Sequence, residues 1–155
     1  MISAVFDCMV FLQATTSRTG PGAACLEFVE QGRVRLFLST EILAEVRRVF
    51  LRRSTQEQFP DLTEAKVEMF LAKLTALGDV RDTVPPTQKL PRDPKDEPYL
   101  NLAVATRASF IVSWDSDLLS LMEQTAFRKN YASLAIVDPP TFLRHVRSTF
   151  GREAA

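Results

Sequence analysis

The spacing of apolar residues along the chain predicts short strands alternating with helices. Apolar runs at 2–6, 34–38 and 110–112 have the length of strands, and the unbroken run at 110–112 is typical of a strand covered on both faces. A further strand is predicted at 133–137, and 79–84 is either a short strand or an irregular edge segment. The helices that separate these runs are expected to form layers on a sheet.

Helices are predicted where apolar residues recur with i, i+3 and i+4 spacing. Leu100, Ala103 and Val104 follow this spacing after a start at Asp96, which has a proline within its first turn. The predicted helices begin at Cys8 and cover 23–31, 40–50, 63–77, 96–107, 118–123 and 139–150, and the predicted loops are 15–21, 84–94 and 125–131.

This alternation predicts an α/β fold with three layers, α/β/α, and a central parallel sheet of four or five strands. The chain has 155 residues, of which 46% are hydrophobic and 25% charged, which is an ordinary globular composition. We expect a single domain to cover 1–150 and a flexible C-terminal tail to cover 151–155.

The charge balance and the cysteine usage limit the possible partners and compartments. Because 19 Lys and Arg side chains balance 19 Asp and Glu side chains, no global positive field draws the protein to nucleic acid. A nucleic-acid role therefore needs a local basic patch or a metal ion. Cys8 and Cys25 are predicted to be buried thiols in a reducing compartment. No apolar segment has signal or transmembrane length, so the protein is expected to be cytoplasmic, with no membrane partner.

Three aspartates lie where a parallel sheet brings element ends to one edge. Asp7 follows the first strand, Asp115 follows the strand at 110–112, and Asp96 opens a helix. Glu45 flanks a helical apolar stripe and can face the same edge. Any one of these aspartates is commonly only a structural cap. Crowded carboxylates repel one another unless a hard cation such as Mg²⁺ or Mn²⁺ binds between them, so the combined arrangement favours a metal site.

Other residues near these acids are weaker candidates for substrate contacts. Arg47 and Arg48 belong to a basic run on a predicted helix, where a solvated face is the alternative to a phosphate contact. Trp114 stands directly before Asp115, and its ring either stacks on a base or covers the edge of the core. Since His145, the only histidine, lies far from the acids in sequence, a metal-bound water is the expected nucleophile.

Four acidic motifs together resemble those of the PIN-domain ribonuclease family. They are, in chain order, VFDCMVFL around Asp7, STEILAEVRRVF around Glu45, DPKDEPYLNLAVA around Asp96, and FIVSWDSDLL around Asp115 and Asp117. The resemblance covers nearly the whole chain, in the order and spacing of the family's motifs. The chain looks most like the toxin components of bacterial toxin–antitoxin modules, akin to the VapC-type toxins.

The resemblance implies a PIN-like domain that acts as a Mg²⁺- or Mn²⁺-dependent endoribonuclease, leaving a 5′-phosphate and a 3′-hydroxyl. The expected substrate is single-stranded RNA, and the expected partners are a cognate antitoxin protein and a second copy of the chain in a homodimer. The roles implied are metal binding for Asp7, Asp96 and Asp115, a further catalytic role for Glu45, and support of these ligands by Asp117 and Ser113.

Two positions depart from the family pattern and leave a second hypothesis open. Similar proteins usually carry Asn two residues after the first motif aspartate, where this chain has Met9, and Gly before the aspartate of the fourth motif, where it has Trp114. The alternative is a catalytically weak or inactive PIN-like module that binds RNA or protein. A phosphotransferase with Asp7 as nucleophile is disfavoured, because such enzymes usually place a second Asp where Met9 stands.

Overall fold

The computed structural model describes the backbone of residues 1–154 and the side chains of residues 1–151. Within that range the strands are β1 (Ile2–Phe6), β2 (Val34–Ser39), β3 (Asp79–Arg81), β4 (Phe110–Val112) and β5 (Ala135–Val137). All four strand pairings are parallel, and the sheet order is β3-β2-β1-β4-β5. The predicted α/β fold with a central parallel sheet is therefore confirmed.

Helices fill the connections between the strands. The α-helices are α1 (Cys8–Thr16), α2 (Pro21–Glu30), α3 (Thr40–Leu51), α4 (Arg53–Gln58), α5 (Glu64–Leu77), α6 (Glu97–Thr106), α7 (Ser116–Ser120), α8 (Thr125–Asn130) and α9 (Pro139–Ala154), with single 3-10 turns at Pro94–Asp96 and Leu121–Glu123.

The strand order places a topological switch point at the middle of the sheet. From β1 the chain builds outward through β2 and β3 on one side, and then returns to add β4 and β5 on the other. Ligand sites of open parallel sheets lie beyond the carboxyl ends of the strands at such a point. The register pairs Phe6 with Val112, so the residues that follow these two strands start side by side.

The core surrounds β1 on both faces. Ala4, Val5 and Phe6 are consecutive and all buried, and consecutive strand residues point to opposite faces. Helix α6 packs against β1, β2 and β4. The Phe6 ring lies 5.9 Å from that of Phe11 and 5.8 Å from that of Phe142, which joins α1 and α9 to the central strand.

Several predicted boundaries differ from the structure, and three of them are informative. The predicted loop at 125–131 is wrong, because residues 125–130 form α8 around the buried ring of Phe127. One buried aromatic residue gives no periodic signal. Helix α1 extends through Thr16, whose hydroxyl donates to the Leu12 carbonyl at 2.9 Å. Helix α9 continues to Ala154, past the predicted domain end at 150, and Ala155 lies outside the described residues.

Among the helices described, none combines the length and the hydropathy needed to cross a membrane.

Candidate functional site

A cavity of about 350 Å³ opens at the carboxyl edge of the sheet beside β1 and β4. The four acidic residues singled out from the sequence all contribute to its wall, although they come from distant parts of the chain. They are Asp7, Glu45, Asp96 and Asp115. The fold therefore brings this set together in one place.

Asp7 is held by both of its carboxylate oxygens. As the N-cap of α1, its Oδ1 accepts the Val10 N–H at 3.0 Å. Its Oδ2 accepts the hydroxyl of Ser113, which is completely buried. The two residues are 106 positions apart, and they meet because Phe6 and Val112 are partners in the β1–β4 register. Burial raises the pKa of Asp7 above its ordinary value, and these two hydrogen bonds oppose that rise.

Ser113 also connects Asp7 to Asp115. Its Oγ accepts the Asp115 N–H at 2.9 Å while its hydroxyl donates to Asp7. Asp115 Oδ1 in turn caps α7 by accepting the Asp117 N–H at 2.8 Å. Asp117 therefore contacts Asp115 through its backbone, and its exposed side chain lines a neighbouring cavity instead. The sequence had predicted a supporting role for Asp117, without specifying that its backbone provides the contact.

Asp96 lies at the junction of a 3-10 turn and α6, where the sequence indicated a capping residue. Its side chain makes no capping hydrogen bond to the described backbone, so that structural role is not observed. Its Oδ2 is buried and has no hydrogen-bond partner among the described residues. Burial raises the pKa of Asp96 to about 6, and the Asp115 carboxylate adds to this shift. Such an oxygen is costly unless it gains a ligand.

Tyr99 connects Glu45 to the start of α1. Its buried hydroxyl accepts the Cys8 N–H at 3.2 Å and donates to Glu45 Oε1 at 3.0 Å. Burial, followed by the charge of Glu45, raises the pKa of Tyr99 well above its ordinary value, so the hydroxyl keeps its proton. Glu45 is thus fixed to the segment that carries Asp7.

Two positive side chains also line the cavity, and the sequence analysis assigned neither to it. Arg52 comes from the basic run on α3, and its Nε donates to Thr55 Oγ1 at 3.3 Å. Lys95 places its Nζ 3.7 Å from Asp115 Oδ2. Because the chain has no net charge, these two side chains are the local cations of the cavity that a phosphate could contact, although they stand beside four carboxylates.

The three weaker substrate candidates have separate locations. Arg47 pairs with Glu68 on α5, and Arg47 and Arg48 both lie outside the lining of the cavity. Trp114 does line it, with its ring 39% exposed and its Nε1 donating to Gln13 Oε1 at 2.5 Å. Arg52 follows the last residue of α3 and has extended backbone angles, so its direction is set by the end of the helix and not by helical spacing.

The four carboxylates at the cavity are ligands of the type that a hard divalent cation prefers, but, as the structure describes them, they do not surround a single ion position. Among the side chains that the structure describes, no three acidic, histidine or cysteine groups surround a single ion position. Yet the carboxylate oxygens at the cavity are of the type that Mg²⁺ and Mn²⁺ prefer, and Asp96 Oδ2 lacks, among the described residues, the hydrogen-bond partner that a buried oxygen requires. The donors therefore match such an ion in chemical type.

Comparisons with known proteins identify the family and the fold. The family profile described as PIN domain matches residues 3–117. No curated protein matches the chain. Among solved structures, a chain of "VapBC2 from Rickettsia felis bound to a DNA fragment from their promoter" is similar, with a TM-score of 0.53 and 11% identity over 88% of this chain and 98% of that chain. At 11% identity, this similarity shows a shared fold and nothing more.

Proposed function

This chain belongs to the PIN-domain family, and from that premise we propose that it is a metal-dependent endoribonuclease acting on single-stranded RNA. The resemblance carried by the four acidic motifs is confirmed at the level of the family. The observation that carries the proposal is the convergence of Asp7, Glu45, Asp96 and Asp115 on one cavity, where a buried oxygen of Asp96 has no partner in the described part of the chain.

Asp7, Asp96 and Asp115 are the residues proposed to hold Mg²⁺ or Mn²⁺. Such an ion, when bound, supplies positive charge to a phosphate and increases the acidity of water. The hydrogen bonds from Val10 and Ser113 keep the Asp7 carboxylate in one orientation before any ligand arrives.

The remaining polar residues of the cavity orient Glu45 and offset the negative charge of a phosphate. Tyr99 donates to one oxygen of Glu45, which leaves the second oxygen available to align water or to contact a further ion. Arg52 and Lys95 supply the positive charges that face a phosphate in a cavity that also holds four carboxylates. Asp115 is proposed to exchange its ion pair with Lys95 for a ligand role, which frees the ammonium group for the RNA backbone.

Single-stranded RNA is the proposed substrate because the cavity lies open at the sheet edge with an aromatic ring on its wall. Trp114 is partly exposed there, and an unstacked base can rest on such a ring. A duplex keeps its bases stacked and cannot use this contact.

We further propose that the protein is the toxin component of a toxin–antitoxin module with a cognate antitoxin as its partner. Two points support this: the motifs resemble VapC-type toxins, and the fold is similar to a chain of a VapBC2 complex.

The test is an RNA cleavage assay with purified protein and fluorescently labelled single-stranded and duplex RNAs. We expect cleavage of single strands in Mn²⁺ or Mg²⁺, none in EDTA, and none with Asp7→Asn. Asparagine caps helices as well as aspartate does, so this variant should fold. Asp138→Asn, which neutralises a capping aspartate on α9 that lies outside the cavity lining, is the matched control.

Cleavage that persists in EDTA or in Asp7→Asn would contradict this mechanism. If no RNA is cleaved in either metal but RNA or a protein partner still binds, the alternative of an inactive binding module is correct.

A further inference from the structure

We propose that a second cavity beside the carboxylate site binds an unstacked base of the RNA strand, an inference that rests on the proposed ribonuclease function. This cavity has a volume of about 570 Å³, within the range of small-ligand pockets. Asp96 lines both cavities, so they adjoin at this residue. A strand whose phosphate lies at the carboxylates therefore has a cavity next to it for a neighbouring nucleotide.

One wall of the second cavity is a loop fixed in place by side chains. The Gln88 N–H donates to Asn101 Oδ1 at 2.7 Å, and the Leu90 N–H donates to Glu97 Oε2 at 3.0 Å. Tyr131 donates its hydroxyl to Gln88 Oε1 from the opposite side. These three contacts hold the loop against α6 and the end of α8, so the cavity is formed before a ligand binds.

The chemistry of the other wall suits a base. Phe127 and Tyr131 pack with ring centroids 4.6 Å apart, and both line the cavity. Phe127 is buried, so the half-buried ring of Tyr131 is the one that can stack on a base, and every base has a π face. The exposed amides of Gln124 and Asn130 lie on the same wall and offer both donors and acceptors to the edge of a base.

The charged side chains of the second cavity indicate which part of the RNA each wall contacts. Asp93 and Asp117 line the cavity, and carboxylates repel phosphate but accept hydrogen bonds from the amino groups of bases. Lys89 and Arg92 are exposed on the loop wall, where they can reach phosphate. We therefore assign Lys89 and Arg92 to contacts with the RNA backbone. The wall that carries Tyr131, Gln124 and Asn130 is assigned to the base.

The test measures RNA binding without cleavage. Fluorescence anisotropy in EDTA compares a labelled single-stranded RNA pentamer with the same sugar–phosphate strand lacking bases. Asn130→Ala should weaken binding of the base-bearing strand about fivefold and leave the abasic strand unchanged. Arg92→Ala should weaken both strands by similar factors, because it removes a phosphate contact. Arg53→Ala, whose side chain is 93% exposed and lines neither cavity, is the matched control and should bind like the wild type.

Wild-type affinity of Asn130→Ala and Arg92→Ala for the base-bearing strand would overturn the base site. If the wild type also cleaves RNA in Mn²⁺, the nuclease proposal survives that result. If the wild type cleaves nothing yet Asn130→Ala loses the preference for bases, the base site stands and the nuclease proposal fails. A loss of protein binding in Asn130→Ala with RNA affinity unchanged would assign the cavity to a protein and overturn the base site.

Discussion

Replacing Asp96 by asparagine is expected to stabilise the metal-free protein at neutral pH. Its carboxylate is buried, has one oxygen with no partner among the residues that the structure describes, and has a pKa raised to about 6 from an ordinary value of 3.8. A shift of about two units corresponds to roughly 3 kcal/mol, since each unit is worth about 1.4 kcal/mol. Asparagine also buries a polar group, so we expect Asp96→Asn to raise the free energy of unfolding by about 1 to 2 kcal/mol at pH 7.

The pH dependence follows from the direction of the pKa shift. Because the pKa of Asp96 is higher in the folded state, the folded protein binds its proton first as the pH falls. The cost of the ionised carboxylate is complete above about pH 6 and is lost towards pH 4. The stability advantage of Asp96→Asn over the wild type should therefore shrink as the pH falls from about 6 to about 4. Urea unfolding in EDTA at several pH values measures this difference.

The control for this measurement is Asp138→Asn. Asp138 Oδ1 accepts the Thr141 N–H at 2.9 Å, and hydrogen bonds from Thr141 lower the pKa of Asp138. Its ionised form therefore stabilises the fold, and the substitution should be neutral or destabilising at pH 7.

A free energy of unfolding about 1 kcal/mol lower for Asp96→Asn than for the wild type in EDTA at pH 7 would instead make Asp96 a structural cap. An equal difference at pH 7 and pH 4.5 would show that the Asp96 carboxylate is not the source of the effect. In the presence of Mn²⁺, the melting temperature of the wild type should rise more than that of the variant.

Three further outcomes are expected from contacts at the site. Ser113→Ala should lower the free energy of unfolding by about 2 kcal/mol in urea titrations, because Asp7 Oδ2 and the Asp115 N–H both lose a buried partner. Tyr99→Phe should weaken Mn²⁺ binding about tenfold by calorimetry, because Glu45 loses the donor that orients it, whereas Tyr131→Phe should not. Trp114→Ala should raise the KM for single-stranded RNA more than it lowers kcat, which steady-state cleavage kinetics will show.

The sheet and the carboxylate set were predictable because both depend on local sequence. A strand ends where an apolar run ends, and parallel strands bring those ends to one edge. This places Asp7 and Asp115 near each other without any knowledge of the fold beyond its class. The β1–β4 register, which sets Asp7 opposite Ser113, could not be predicted from the sequence, because pairing across 106 residues leaves no local signal.

The residues that sequence analysis missed act through contacts between distant elements. Tyr99 reaches Glu45 across 54 positions and Cys8 across 91, and neither separation has a periodicity to detect. A weak signal did exist, because Tyr99 follows Asp96 by three residues and so shares its side of α6. Arg52 stands at the end of α3, where its direction depends on how the helix terminates.

Met9 is one of the two departures from the family pattern, and it matters because a polar side chain there could help to orient Asp7. The structure provides that orientation from another strand. Ser113 donates to Asp7 Oδ2, the Val10 N–H donates to Oδ1, and Met9 is 43% exposed at the cavity wall. The loss of one local donor therefore does not leave the Asp7 carboxylate free to rotate. What Met9 changes is the surface at the mouth of the cavity, which is a matter of substrate fit and not of whether Asp7 is held in place.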